Sequence, residues 1–89
     1  MESVTITLHD KGDSGEYRAH VAGSNVIGRL TWTMRGGARV AEHTLVPKEI
    51  GGRGVAGKLV EALIADARAQ GFRIVPECSY VVAAFEKLP

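Results

Sequence analysis

Pro47-Lys48-Glu49-Ile50-Gly51-Gly52-Arg53-Gly54-Val55-Ala56-Gly57-Lys58 is the stretch on which the fold turns, because an apolar strand pattern stops just before it and a helical pattern starts inside it. Four glycines and three cations fall within these twelve residues, which makes a phosphate cradle the first expectation. Gly51, Gly52 and Gly54 let successive backbone N–H groups turn toward one point, and the helix that follows adds the positive end of its dipole. Lys48, Arg53 and Lys58 bring mobile positive charge to the same place, Arg53 from between the glycines. Two nucleotide motifs can be laid over the stretch, and neither fits. Gly52, Gly54 and Gly57 spell G-x-G-x-x-G, with Glu77 about twenty residues further on. A dinucleotide fold, however, has that glycine at the end of its first parallel strand, whereas here Pro47 to Ile50 intervene after a long strand-rich half. Gly52 to Lys58 also spells G-x-x-x-x-G-K, yet Leu59 stands where a Mg²⁺-binding Ser or Thr is required. A glycine-rich connection that binds nothing is the plain alternative, and the rest of the chain decides.

Upstream of the stretch the period is two. Val4, Ile6 and Leu8 alternate with Thr5, Thr7 and His9, the sequence DKGDSG breaks the pattern, and Glu16 to Val21 resumes it more weakly. AGSN forms the next turn, Val26 to Met34 a third strand, RGG another turn and Ala38 to Val46 a fourth strand. Connections this short demand antiparallel neighbours, so the first half reads as a four-stranded meander. Downstream the period becomes helical: Val55, Leu59 and Leu63, with Ala56, Val60 and Ile64, share one broad face up to Gly71. Phe72 to Val75 reads as a short buried strand stopped by Pro76. Ser79 is placed to cap a last helix through Leu88, with Val81, Val82, Ala84 and Phe85 as its core residues.

Eighty-nine residues suit one domain, 1–89, with a single modest core. Eleven basic against 10 acidic residues give a formal charge of +1, too weak a field to make duplex nucleic acid or an anionic membrane the main partner. One cysteine, Cys78, excludes an internal disulfide, and His9, His20 and His43 lack any zinc spacing, so no metal is expected. The apolar runs are too short to span a membrane, and MESVTITLHD does not read as a signal peptide. The cytoplasm is the expected compartment.

Meander, glycine-rich turn, helix, strand, helix resembles the catalytic half of a GNAT N-acetyltransferase. Gly51-Gly52-Arg53-Gly54-Val55-Ala56 resembles that family's pyrophosphate loop, [Gln/Arg]-x-x-Gly-x-[Gly/Ala], with Gly51 in place of the usual Gln or Arg and Arg53 positioned to compensate. The ending Ala84-Phe85-Glu86-Lys87-Leu88 is similar to the family's aromatic-Glu-Lys close. More closely, the run from His43 to Val81 resembles small single-domain GNAT-like proteins with His-Thr before the loop and Val-Pro-x-Cys after the helix. The resemblance implies an α/β (α+β) minimal GNAT fold in which the fifth strand runs parallel to the fourth and splays from it. It implies acetyl-CoA as donor co-substrate and an amine, small molecule or protein, as acceptor. The pantetheine arm would lie in the splay, beside unpaired backbone groups at Leu45 and Val46, one of which can polarise the thioester carbonyl. The pyrophosphate would rest on Gly51, Gly52, Arg53, Gly54, Val55, Ala56, Gly57 and Lys58, with Tyr80 and Phe85 of the last helix alongside. Two helices that wall the acceptor side in larger relatives are missing, which implies an open acceptor side.

Three residues are candidates for the chemistry. Cys78 lies at the start of the last helix, where a lowered thiol pKa suits either protonation of the departing CoA thiolate or nucleophilic transfer, the bland alternative being a small buried hydrophobe. The family's usual acid is a tyrosine at the Phe85 position, which here has no hydroxyl, and Tyr80 is a weaker substitute. His43 or Glu42 can serve as base, and strict strand alternation lets only one of them face the site, the other reading being a hydrogen-bonded histidine and a solvated glutamate. His9 and His20 are assigned to surface strand positions, and Trp32 to the core or a groove wall. A module that binds acetyl-CoA but transfers little is the rival function.

Overall fold

The computed structural model describes residues 3–51 and 54–86. Five strands form one sheet in the order β1 (Val4–Asp10), β2 (Ser14–Val21), β3 (Ile27–Arg35), β4 (Ala38–Leu45) and β5 (Arg73–Pro76). Neighbours from β1 to β4 are antiparallel, and β5 is parallel to β4. A 3-10 turn, Lys48–Ile50, leads to α1 (Val55–Gln70), and α2 (Ser79–Glu86) follows β5. The expected element order and the parallel fifth strand are therefore present, with strand boundaries shifted by one or two residues.

Those shifts have local causes. The first turn is tighter than DKGDSG suggests, because the Gly12 N–H donates to Asp10 Oδ1 at 2.7 Å and lets β2 begin at Ser14. Gly36 and Gly37 have φ of 55° and 80°, the two left-handed residues of a hairpin turn whose twist matches its flanking strands. That turn fixes Arg35 opposite Ala38 and so sets which residues of β4 face the helices.

Both helices lie on one face of the sheet. Tyr17, Ala19, Val21, Leu30, Trp32 and Ala41 pack there against Val55, Leu59 and Leu63 of α1, with Ile50 of the 3-10 turn and Val81 of α2 closing the cluster. Arg39 is buried in the same layer, 4 % exposed, its guanidinium 3.7 Å from the centre of the Trp32 ring and 4.3 Å from that of Phe72. Its Nη1 donates to the Tyr17 hydroxyl at 2.8 Å, and that hydroxyl donates to Asp66 Oδ2 at 2.7 Å, tying β4 and β2 to α1. Burial, and then the bond to Asp66, push the Tyr17 pKa upward.

Two expectations need correction. β5 is an edge strand with only β4 beside it, so it is half-exposed rather than buried and Val75 is 40 % exposed. In α2 only Val81 is fully buried; Ala84 and Phe85 pack partly against the core, while Val82 is exposed. Lys87 and Leu88, expected to extend that helix, lie outside the described residues.

Candidate functional site

β4 and β5 pair only from Ala38 opposite Arg73 to Ala41 opposite Pro76. The N–H groups of Glu77 and Cys78 then both donate to the Ala41 carbonyl, at 3.0 and 3.1 Å, and the strands part. Glu42 to Leu45 keep β3 on one side and have no paired strand on the other among the described residues. The gap is a groove of about 400 Å³ between this edge and the chain entering α2, lined by Glu42, His43, Thr44, Leu45, Glu77, Cys78, Ser79 and Tyr80.

A β-bulge shapes the β4 wall. Trp32 lies opposite Ala41 but Thr31 lies opposite His43, so Glu42 is an extra residue in the ladder. Strict alternation fails there, and the expectation that only one of Glu42 and His43 can face the site is overturned, since both line the groove. The bulge also resets the register so that Thr44 points toward Cys78. Arg35 stands between two carboxylates across the parting, 4.0 Å from Glu42 and 3.9 Å from Glu77.

Cys78, rather than Ser79, holds the cap position of α2: its carbonyl accepts from the N–H groups of Val81 and Val82, and Ser79 is the first helical residue. Its Sγ–H donates to Thr44 Oγ1 at 3.1 Å. Burial alone would raise the thiol pKa, but the Thr44 hydroxyl and the backbone N–H groups of Val81, Tyr80 and Thr44 favour the thiolate and together bring it below the ordinary thiol range. A depressed acid pKa contributes stability that is present above the unfolded value and is lost as the pH falls through the folded one. Thr44→Val removes the largest of the bonds that favour the thiolate. The midpoint of Cys78 alkylation by iodoacetamide, followed against pH, should then rise; an unmoved midpoint would mean that the hydroxyl does not support the anion.

At the other end of the site, the N-terminus of α1 has no side-chain cap among the described residues. Gly54 precedes it with φ 73°, a left-handed conformation that turns the chain into the helix. The N–H groups of Val55, Ala56 and Gly57 have no intrahelical acceptor, the first helical bond being Lys58 N–H to the Gly54 carbonyl at 3.1 Å. Beside this end an apolar groove of about 670 Å³ runs between α1 and α2, where Ala56, Gly57, Lys58 and Val60 face Tyr80 and Ala84. Tyr80 lines both this groove and the parting of the strands, so it stands where the two meet.

The remaining sequence candidates divide. Val55 turns inward and is buried, leaving only its backbone N–H for a ligand, and Gly51 is extended and bonded back to Lys48. Gly52 and Arg53 lie outside the described residues. Leu45 is exposed, and with Val46 it walls a further apolar groove where the start of β3 meets the end of β4. Phe85 packs against the core cluster. His9 and His20 sit on the sheet face away from the helices, both within hydrogen-bond reach of Thr7 Oγ1, and Trp32 is in the core. Among the described residues no group of three or more His, Cys, Asp or Glu gathers to hold a metal. Thr44 is the participant that sequence reading missed; it lies three residues after the inward-facing Ala41, an offset that places it on the same face only because of the bulge.

Parallel strands that part beside the N-terminus of a long helix define a small α+β domain with a groove at the strand parting. The model of a family described as GCN5-related N-acetyl-transferase matches residues 16–89, and the chain belongs to that family. Membership supports an acetyltransferase-type function, and the family generally uses acetyl-CoA. No curated protein and no solved structure matches the chain.

Proposed function

We propose that residues 1–89 act as one domain that binds acetyl-CoA and transfers its acetyl group to an amine. The observation that carries the reading is the divergence of β4 and β5 immediately after Ala41, which leaves a groove of about 400 Å³ with a polarised thiol in one wall and two candidate bases in the other. Acetyl-CoA supplies an activated acetyl group; the chain's own residues do the rest. Backbone N–H groups at the start of α1, with Lys58 beside them and Arg53 preceding them, hold the pyrophosphate. Leu45 and Val46 border the pantetheine arm, and a backbone N–H at the end of β4 polarises the thioester carbonyl. Glu42 or His43 takes the proton that the attacking ammonium must lose. The amine nitrogen forms its bond to the acetyl carbon, the carbon–sulfur bond breaks, and Cys78 gives its proton to the departing thiolate; its own thiolate, stabilised by Thr44 and the α2 amides, then recovers a proton from the acylated nitrogen as the amide forms. A single free thiol suits a reducing compartment such as the cytoplasm.

Titration calorimetry with acetyl-CoA, followed by detection of free CoA thiol in the presence of amines, tests the reading. Cys78→Ala should bind acetyl-CoA with nearly the parental affinity but release CoA on the order of 100-fold more slowly. A parental rate would return Cys78 to a packing role, and an acetyl group found on Cys78 by intact mass would replace direct attack with a two-step transfer. Absence of a binding signal sinks the proposal, and binding without transfer to any amine leaves a donor-binding module.

A further inference from the structure

The sheet face opposite the helices carries a further groove, of about 230 Å³, whose lining includes His9, Lys11, Glu16, Arg18, Thr31 and Glu42. Glu42, the bulged residue, lines this groove and the parting of β4 and β5 alike, so a molecule lying on the open face reaches the donor groove at that carboxylate. His9, Glu16 and Thr31 stand opposite one another on successive strands, and the row ends at the bulge.

Charge is unevenly distributed along it. Glu16 is engaged: Arg18 Nε donates to it at 2.5 Å and Arg29 lies 3.8 Å away. The bond to Arg18 is the largest reason why Glu16 is held below the usual carboxylate range. Among the described residues Glu42 has only the contact with Arg35 at 4.0 Å, and that arginine is largely in solvent. The end of the groove next to the donor therefore offers a loosely held carboxylate, and the far end offers Lys11 and the guanidinium of Arg18, whose Nη groups are not used by the Glu16 bond. Between them Thr31 Oγ1 is buried and has no hydrogen-bond partner among the described residues. A buried hydroxyl left unpaired is unfavourable, and a polar ligand in the groove would satisfy it.

We infer that this groove is the acceptor site and that it takes a small polar amine bearing an anionic group, its ammonium at Glu42 and its carboxylate toward Arg18 and Lys11. The inference rests on the acetyl-transfer reading above and names the acceptor class for it. The volume, that of about seven or eight water molecules, suits an amino carboxylate rather than a bulky acceptor. Glu42 receives the proton released as the nitrogen attacks. Arg18 acts in binding, and Thr31 Oγ1 accepts a second hydrogen bond from the ammonium beside Glu42.

The test compares acceptors of matched length, 4-aminobutyrate, butylamine and 1,4-diaminobutane, with acetyl-CoA saturating. Under this assignment 4-aminobutyrate has a kcat/KM at least tenfold above the other two, and Arg18→Gln collapses the ratio through KM. Thr31→Val, which removes an unpaired buried hydroxyl, raises KM for 4-aminobutyrate although its Tm is equal or higher. Equal or better use of butylamine or the diamine, or a ratio untouched by Arg18→Gln, overturns the assignment. Should acetyl-CoA bind but no amine turn over, backbone amide shifts on titrating 4-aminobutyrate into the CoA-bound protein decide: shifts centred on Glu16, Thr31 and Glu42 uphold the site, and their absence overturns it. Failure to bind acetyl-CoA sinks the acetyl-transfer reading itself, whereas the outcomes above concern the acceptor groove alone.

Discussion

Gly57→Asp binds acetyl-CoA roughly 10- to 100-fold more weakly than the parent protein, the equivalent of about 1.5–3 kcal/mol for a charge-assisted contact that has become repulsive. The same variant unfolds at an equal or slightly higher temperature. Gly57 is the third residue of α1, exposed, with nothing within 4 Å of a Cβ placed on it, so the aspartate enters without a clash. A carboxylate in the first turn of a helix is favourable by about 0.3–1 kcal/mol, and replacing glycine there removes a poor helix former. The two effects therefore have opposite signs, which separates a damaged site from a damaged fold. Acetyl-pantetheine, which lacks the pyrophosphate, should bind both proteins alike. If acetyl-CoA affinity is unchanged in calorimetry, or if the fragment loses as much as the full donor, the phosphates do not sit at this helix end.

Arg39→Ala loses about 3–5 kcal/mol of unfolding free energy in urea, much of the roughly 4–13 kcal/mol that a chain of this length commands. Truncation removes a guanidinium sandwiched between Trp32 and Phe72, leaves a void in the core, and takes from the Tyr17 hydroxyl a donor held at 2.8 Å. Asp10 and Asp66, 4.0 and 3.9 Å from the guanidinium, are partly exposed and return to solvent, so the loss comes from the stack and the buried bond rather than from the ion pairs. Arg39→Met refills part of the volume and should recover a part of the loss. In the parent protein the raised pKa of Tyr17 adds stability below the unfolded tyrosine value and forfeits it as the pH climbs through the folded one, so the alkaline limit of the fold reports on the same cluster. A loss under about 1 kcal/mol would show that Arg39 is held by the core without supporting it.

Strand and helix identities were legible because their periods differ and because glycine marks the boundaries: the change from alternation before Val46 to the Val55, Leu59, Leu63 spacing places α1 correctly. The glycine-rich loop carried a resemblance that led to the family whose model residues 16–89 match. What escaped reading were features created by the third dimension. A bulge has no residue signature in Ala41-Glu42-His43-Thr44, and without it the two candidate bases seem mutually exclusive while Thr44 goes unnoticed. Arg39 reads as a surface cation within a strand, since nothing local shows that Trp32 and Phe72 will close over it. Cys78 was singled out for its place near a helix start, but Ser79, the stronger capping type, obscured the fact that the cysteine itself occupies the cap.

The parallel seam between β4 and β5 also bears on how the molecule comes together. Each pairing from β1 to β4 closes a short hairpin loop, so the meander can assemble by local steps, whereas β5 must wait for α1 to cross the sheet before its four residues find β4. The last segment to dock is thus the one that brings Cys78 to Thr44. A short, half-exposed edge strand joined late is also the piece most easily released, so the protein can loosen the thiol side of its groove in local openings while the hairpins and α1 remain closed.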